Sequence, residues 1–313
     1  MVALSKCFAQ IVGIVVLSVA LVRCLEPAPQ SLYGTRAGEV RSDNGLKMKL
    51  VWCPPGQFTM GSPKDEEFRS WDEDEVRVTL TRGFWLGKYE LTEGEWQQVM
   101  GTTPWTGRHN AKEGEGYPAT CVNWNDALQF CHKLTETERR TGRLPANWRY
   151  TLPTEAQWEY ACRAGTTTRF SFGRSKWDLT DYAWFKENSW DFGDRFPHQV
   201  GGKLPNPWGL YDIHGNVAEW CRDGYRMDKN GYPVRKGGND PELSPADGWA
   251  VYRGGNFMNW LQSLRSAKRA PASIIPDGHQ MDPGVREGIE NPDELMCRFT
   301  HLGFRVALEP VGK

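Results

Sequence analysis

Beyond Gly165 no stretch of this chain carries a helical period, because Gly and Pro break it every few residues. Segments so interrupted cannot lay an apolar face along a helix, so their loops must be held by contacts other than periodic packing. The same bias runs through the whole sequence: 33 Gly, 20 Pro and 15 Trp in 313 residues favour turns and large flat rings over long helices. The net charge of -1 offers no basic footprint for nucleic acid or an anionic membrane surface, which sets both aside as partners.

Ahead of Gly165 regular elements are legible. Residues 49–52, 57–60 and 76–89 are rich in β-branched and aromatic side chains between turn signals and are expected as strands. Three segments have helical spacing. Residues 92–100 begin with Thr92 three before Glu95, a capping-box pattern. Residues 123–141 offer Asn125 as a cap, with Ala127, Leu128, Cys131 and Leu134 as an apolar stripe. Residues 154–165 open on Thr154, with Trp158, Tyr160, Ala161 and Cys162 behind it. The expected class is α+β with little regular structure for its length, in one domain over residues 47–310.

The N-terminus differs from the rest. Lys6 precedes an apolar run over residues 8–22, short for a bilayer span and shaped like the hydrophobic region of a signal peptide. Residues 1–24 are therefore expected to direct export to the periplasm or cell surface, with residues 25–46 as a polar linker. Cys24 could be acylated, giving a membrane anchor, although Arg23 stands where a small residue is expected. Without Cys7 and Cys24, six cysteines remain: Cys53, Cys121, Cys131, Cys162, Cys221 and Cys297. They permit disulfides in an oxidising compartment or buried free thiols, and spacing does not choose.

Six ordered blocks then carry a specific resemblance. They are Pro55 to Ser62 (PGQFTMGS), Phe84 to Thr92 (FWLGKYELT), Tyr150 to Ala161 (YTLPTEAQWEYA), Asn206 to Trp220 (NPWGLYDIHGNVAEW), Arg253 to Phe257 (RGGNF) and Leu302 to Val306 (LGFRV). In this order the chain resembles the formylglycine-generating enzyme, or sulfatase-modifying factor, superfamily. The resemblance implies a variant C-type-lectin fold with loops tied by calcium. By similarity Asp212 and Glu219 would supply side-chain oxygens and Gly215 and Val217 carbonyls, and a weaker second site would fall on Asn188, Ser189, Asp194 and Phe196. Such oxygen-rich loops suit calcium, which takes six to eight oxygen ligands.

The chemistry departs from the family. Formylglycine generation oxidises a sulfatase cysteine with molecular oxygen, using two cysteines five apart that hold copper(I) and the substrate thiol. In this chain Asn259 and roughly Leu264 occupy those positions, and no cysteine lies between Cys221 and Cys297. Hard or apolar side chains do not replace soft thiolates on copper(I), so copper is not expected. The serine of the family's Gly-Gly-Ser-Tyr block is Asn256, its usual tryptophan is Ala218, and Val306 and Ser266 stand where disulfide partners are expected, leaving Cys131 and Cys162 free or differently paired. Iron remains an option through His301, His279 and Asp282, a two-His-one-carboxylate set without a periodic scaffold. His214 reads as a hydrogen-bonded loop residue.

The cleft candidates are Asn256, Asn259, Trp260, Arg265, Arg269 and Arg305, where a guanidinium fork could hold a peptide carboxylate or else pair with internal acids. Two uses follow: a calcium-stabilised module binding a protein, peptide or glycan, or an oxidoreductase with altered metal and oxygen chemistry. Formylglycine generation itself stands third, for want of thiols.

Overall fold

A computed structural model describes residues 31–274 and 298–312. In chain order come β1 (Val40–Arg41), β2 (Leu50–Cys53), β3 (Gly56–Met60), β4 (Val76–Leu80), β5 (Phe84–Gly87), α1 (Glu93–Met100), α2 (Trp124–Arg140), β6 (Trp148–Thr151), α3 (Glu155–Arg163) and α4 (Leu179–Tyr182). They are followed by β7 (Ala218–Gly224), β8 (Gly238–Asn239), β9 (Trp249–Arg253), β10 (Arg269–Ser273), β11 (Leu302–Gly303) and β12 (Ala307–Pro310). Residues 1–24, expected as a signal peptide and containing Cys7 and Cys24, lie outside the described residues, as do His279, Asp282 and Cys297.

The described strands form a sheet ordered β1-β2-β5-β12-β6, a second ordered β10-β9-β7-β11, and a third of β3-β4-β8. β12 enters the first sheet antiparallel to both β5 and β6, with Leu308 opposite Trp85 and Tyr150, so the end of the domain closes the sheet begun by its start. β2 and β5 are buried along their whole length, which explains their continuous apolar runs where a half-exposed strand would alternate. α3 packs against β3, β7 and β9, and Trp158, Leu210, Ile213, Cys221 and Val251 fill the core beside it.

Helix starts follow local chemistry. Thr92 and Thr154 form capping boxes with Glu95 and Gln157. The cap of α2 is Asn123, whose side chain accepts from Asp126 N–H while Asp126 accepts from the Asn123 backbone, and Asn125 is exposed inside the helix. Its buried stripe is Ala127, Phe130, Cys131 and Leu134, with Leu128 only half-buried. Phe130 stacks on Trp96 at 5.7 Å, and Phe304 meets both edge-on, which ties α1 and α2 to the C-terminal block.

The stretch expected as linker contributes β1, with Val40 opposite Val51 and the Trp52 N–H donating to Glu39 O at 2.8 Å. Two residues are too few to show a period, and Gly34 and Gly38 read as turn. Beyond Gly165, α4 has four residues, also below what periodicity detects. Cys53, Cys131, Cys162 and Cys221 are buried thiols without disulfides. Asn123→Ala is expected to cost about 1 kcal/mol of stability in urea unfolding, while Asn125→Ala stays within about 0.5 kcal/mol of the parent.

Candidate functional site

The thiol positions of the family fall where β9 turns through Gly254 and Gly255 toward a 3-10 turn at Leu261–Leu264. Gly255 has φ 69°, and a Cβ there would lie 2.8 Å from Ser263 O, so this turn requires glycine. Asn256 is buried: its Oδ1 accepts from Met258 N–H at 2.9 Å, and its own N–H donates to Asn259 Oδ1 at 3.2 Å. Leu264 is fully buried with Phe170, Leu179, Ala183 and Phe185. Asn259 therefore braces a turn while Leu264 packs under it, and the two do not line one open groove.

Behind Leu264 sits His214, whose Nδ1 lies 2.7 Å from Leu264 O and whose Nε2 accepts from Ser171 N–H at 3.1 Å. A carbonyl partner on one nitrogen and an amide donor on the other fix the Nδ1–H tautomer. Burial lowers its pKa to about 4. Cys162 Sγ lies 3.7 Å from His214 Nε2, but burial pushes that thiol up to about 12, so it is protonated and a poor soft donor. His301 is also held neutral by burial, its pKa lowered to about 4, and it stacks on Phe299 at 5.1 Å.

Of the two readings of Arg265, Arg269 and Arg305, a fork open to a peptide or pairing with internal acids, the structure shows the second. Arg265, Arg269 and Arg305 are all buried. Arg265 forks onto Glu73 at 2.7 Å and reaches Glu66 at 2.9 Å, and Arg269 forks onto Glu155 at 2.8 and 2.6 Å. Arg305 forks onto Glu219 at 2.6 and 2.5 Å and donates to Gly87 O and Tyr211 O. A guanidinium is buried only with a carboxylate to match it, and each of these acids lies far off in sequence.

The same pairing decides the calcium loci. Both Glu219 oxygens are occupied, by Arg305 and by the Trp158 indole N–H at 2.7 Å. Asp212 Oδ2 accepts from Gly201 N–H at 2.6 Å, leaving Oδ1 buried without a hydrogen-bond partner. The Val217 N–H donates to Glu90, and Gly215, at φ 113°, is packed against Trp184 O. Burial raises Asp212 to about 6 and carries Glu90 well above the usual carboxylate range. Of the four carboxylate oxygens of Asp212 and Glu219, only Asp212 Oδ1 is left without a hydrogen-bond partner, and the Arg305 guanidinium already neutralises Glu219.

At the second locus Asn188 Oδ1 accepts from Phe185 N–H and its amide donates to Ala183 O, while Ser189 O accepts from Phe192 and Asp194 N–H. Asp194 is exposed, 3.5 Å from His198, and the Phe196 ring lies under Lys112 at 4.3 Å. The Asn188 and Ser189 oxygens are thus committed to backbone N–H donors of the same loop. Among the described residues no three His, Cys, Asp or Glu side chains cluster as metal ligands.

What the structure does bring together is the turn carrying Trp260 and a loop carrying Trp190 and Phe192. The loop with 3-10 turns at Lys186–Asn188 and Trp190–Phe192 runs beside the thiol-less turn, its Lys186 N–H donating to Asn259 O at 2.9 Å. Lys186 Nζ stands 5.0 Å over the Trp260 ring, Arg195 covers Trp190 at 5.1 Å, and Trp190 meets buried Phe257 at 6.2 Å. Trp260 is 48% exposed and Phe192 79% exposed. Sequence reading found Trp260 and missed Lys186, Trp190 and Phe192, because an aromatic residue in an irregular loop reads as core by default.

Comparison with known proteins agrees with this architecture. The profile of the sulfatase-modifying factor enzyme 1-like domain matches residues 37–310. The chaperone protein LppX of Paenibacillus barcinonensis is 27% identical over 249 residues, covering 67% of this chain and 80% of LppX. The bovine formylglycine-generating enzyme is 26% identical over 296 residues, covering 76% of this chain and 74% of the enzyme. Among solved structures, PvdO from Pseudomonas aeruginosa superposes with a TM-score of 0.65 at 27% identity, over 88% of this chain and all (100%) of PvdO. Treponema denticola variable protein 1 gives 0.62 at 27% identity, over 84% of this chain and 95% of that one.

A native pKa below the ordinary histidine value means that His214 contributes stability in full above about 6.5, and that this contribution falls as the pH drops toward its native pKa. Nitrogen-15 imidazole NMR should show His214 as the neutral Nδ1–H tautomer at pH 5.5. An Nε2–H tautomer, or titration near 6.5, would contradict the hydrogen bonding described.

Proposed function

We propose, from the premise that this chain belongs to the sulfatase-modifying factor enzyme 1-like family, that it is an exported polypeptide-binding module rather than an oxidase. The observation that carries this reading is the exposed pair of Trp260 and Phe192 on the two segments bonded through Asn259, where the family's chemistry requires thiols and this chain has Asn259 and buried Leu264. Among the described residues no two thiolates converge at this turn, which leaves no soft donor set there for copper(I) and no centre at which dioxygen would react.

Polypeptide is favoured over glycan by what flanks the rings. Sugar recognition pairs an aromatic face with amide or carboxylate groups free to meet hydroxyls, and here the Asn256 and Asn259 carbonyl oxygens are turned into backbone bonds. Lys186 stands over Trp260 and is already paired with Asp191 at 2.5 Å, and Arg195 covers the neighbouring Trp190. Rigid exposed rings without free amide or carboxamide partners suit an extended segment with apolar side chains. LppX, a relative named as a chaperone, is consistent with a polypeptide client.

The test titrates the full chain with reduced, carboxymethylated α-lactalbumin as an unfolded probe. The parent chain is expected to bind it, and the double variant Phe192→Ser/Trp260→Ser to bind about tenfold or more weakly. Equal binding by the variant, or binding confined to glycans, overturns the ligand reading. Aldehyde formation on a Cys-x-Pro-x-Arg peptide supplied with copper(I) and oxygen overturns the non-oxidase reading.

A further inference from the structure

A cavity of about 250 Å³ opens where the β4–β5 turn, β6, the start of α3, β7 and the C-terminal end of β12 meet. Its lining is separate from the turn and loop that carry Trp260 and Phe192. Three arginines, Arg82, Arg149 and Arg222, and three acids, Asp240, Glu242 and Glu309, dominate the wall, with Leu80 and Pro310 as the larger apolar side chains.

The acids are already engaged. Glu309 accepts from Arg149, Arg222 and Gln157 at 2.7 to 3.1 Å, Glu242 holds the fork of Arg222 at 2.9 and 3.1 Å, and Asp240 accepts from the Thr81 N–H and hydroxyl. Arg222 is engaged at all three nitrogens, its Nη1 also reaching Thr151 Oγ1 at 3.0 Å. Uncommitted hydrogen-bonding capacity is on the cationic side. Arg82 is half-exposed and has no hydrogen bond or ion pair among the described residues, and Arg149 holds Glu309 through Nε and Nη2, which leaves Nη1.

We propose that this cavity is a binding site for a compact, monovalent organic carboxylate held by Arg82 and the free edge of Arg149. A planar carboxylate matches a guanidinium edge. Three arginines against three acids leave the wall formally neutral, which admits one added negative charge more readily than two. The volume lies below the range of about 300 Å³ upward that drug-sized ligands occupy, so the ligand is about the size of a single sugar acid.

D-glucuronate is the probe, with D-glucose as its uncharged counterpart and inorganic phosphate as the higher-charge one, titrated calorimetrically into the full chain. Saturable one-to-one binding of glucuronate, absent for glucose, is expected, and Arg82→Ala should weaken it about tenfold. Because Arg82 holds no partner in the fold, that variant should keep the parent melting temperature. A second variant, Arg82→Ala/Arg149→Ala, should abolish the binding. No saturation by about 10 mM glucuronate, equal binding of glucose, equal binding by either variant, or tighter binding of phosphate than of glucuronate would each overturn the assignment.

Discussion

The guanidinium of Arg305 bonds three parts of the chain, and a fourth through its carboxylate partner, with no exposure to solvent. It forks onto Glu219 in β7, donates to Gly87 O at the end of β5 and to Tyr211 O in the preceding loop, and shares Glu219 with Trp158 of α3. A charge pair with both ends buried is no bargain against an apolar core of equal volume, but removing one end leaves an uncompensated ion and typically costs about 3–5 kcal/mol. Its contribution is therefore geometric. It admits one arrangement of strand, helix and loop and penalises the alternatives.

The device recurs through the second half of the chain. Arg265 reaches back to Glu73, Arg269 and Arg253 to the two glutamates of α3, and Arg163 of α3 to Glu159 and the Gly61 carbonyl. These contacts hold what periodic packing cannot in a segment so rich in Gly and Pro. They also fix the surroundings of the thiol-less turn: Arg265 follows Leu264 directly, so anchoring one anchors the burial of the other.

Much of the first half was legible from sequence. Thr92 and Thr154 announce their helices by side-chain chemistry within three residues, and the apolar runs of β2 and β5 stand between turn signals. The second half was not, for two reasons. β10 carries Pro271, which reads as a strand breaker and is tolerated because β10 is the edge of its sheet. The buried arginines have their partners about 86 to 192 residues away, as for Arg305 and Arg265, so a local reading can propose pairing with internal acids but cannot say which ones. For the same reason the pattern Asp212 to Glu219 suggested a cation site: spacing shows the acids but not the guanidinium already bonded to one of them.

The segments beside this framework expose Trp260 and Phe192, and the family's catalytic positions hold an asparagine turned inward and a buried leucine. Fold and family are therefore retained while the chemistry of the site differs. We propose that arginine–carboxylate forks, rather than a bound calcium ion, hold the loops that carry Trp260 and Phe192. Equilibrium urea unfolding of the full chain in calcium and then in excess chelator tests it most directly. The same midpoint in both is predicted, and a loss of about 2 kcal/mol or more on chelation, the size expected when a tightly bound ligand is withdrawn, would contradict it.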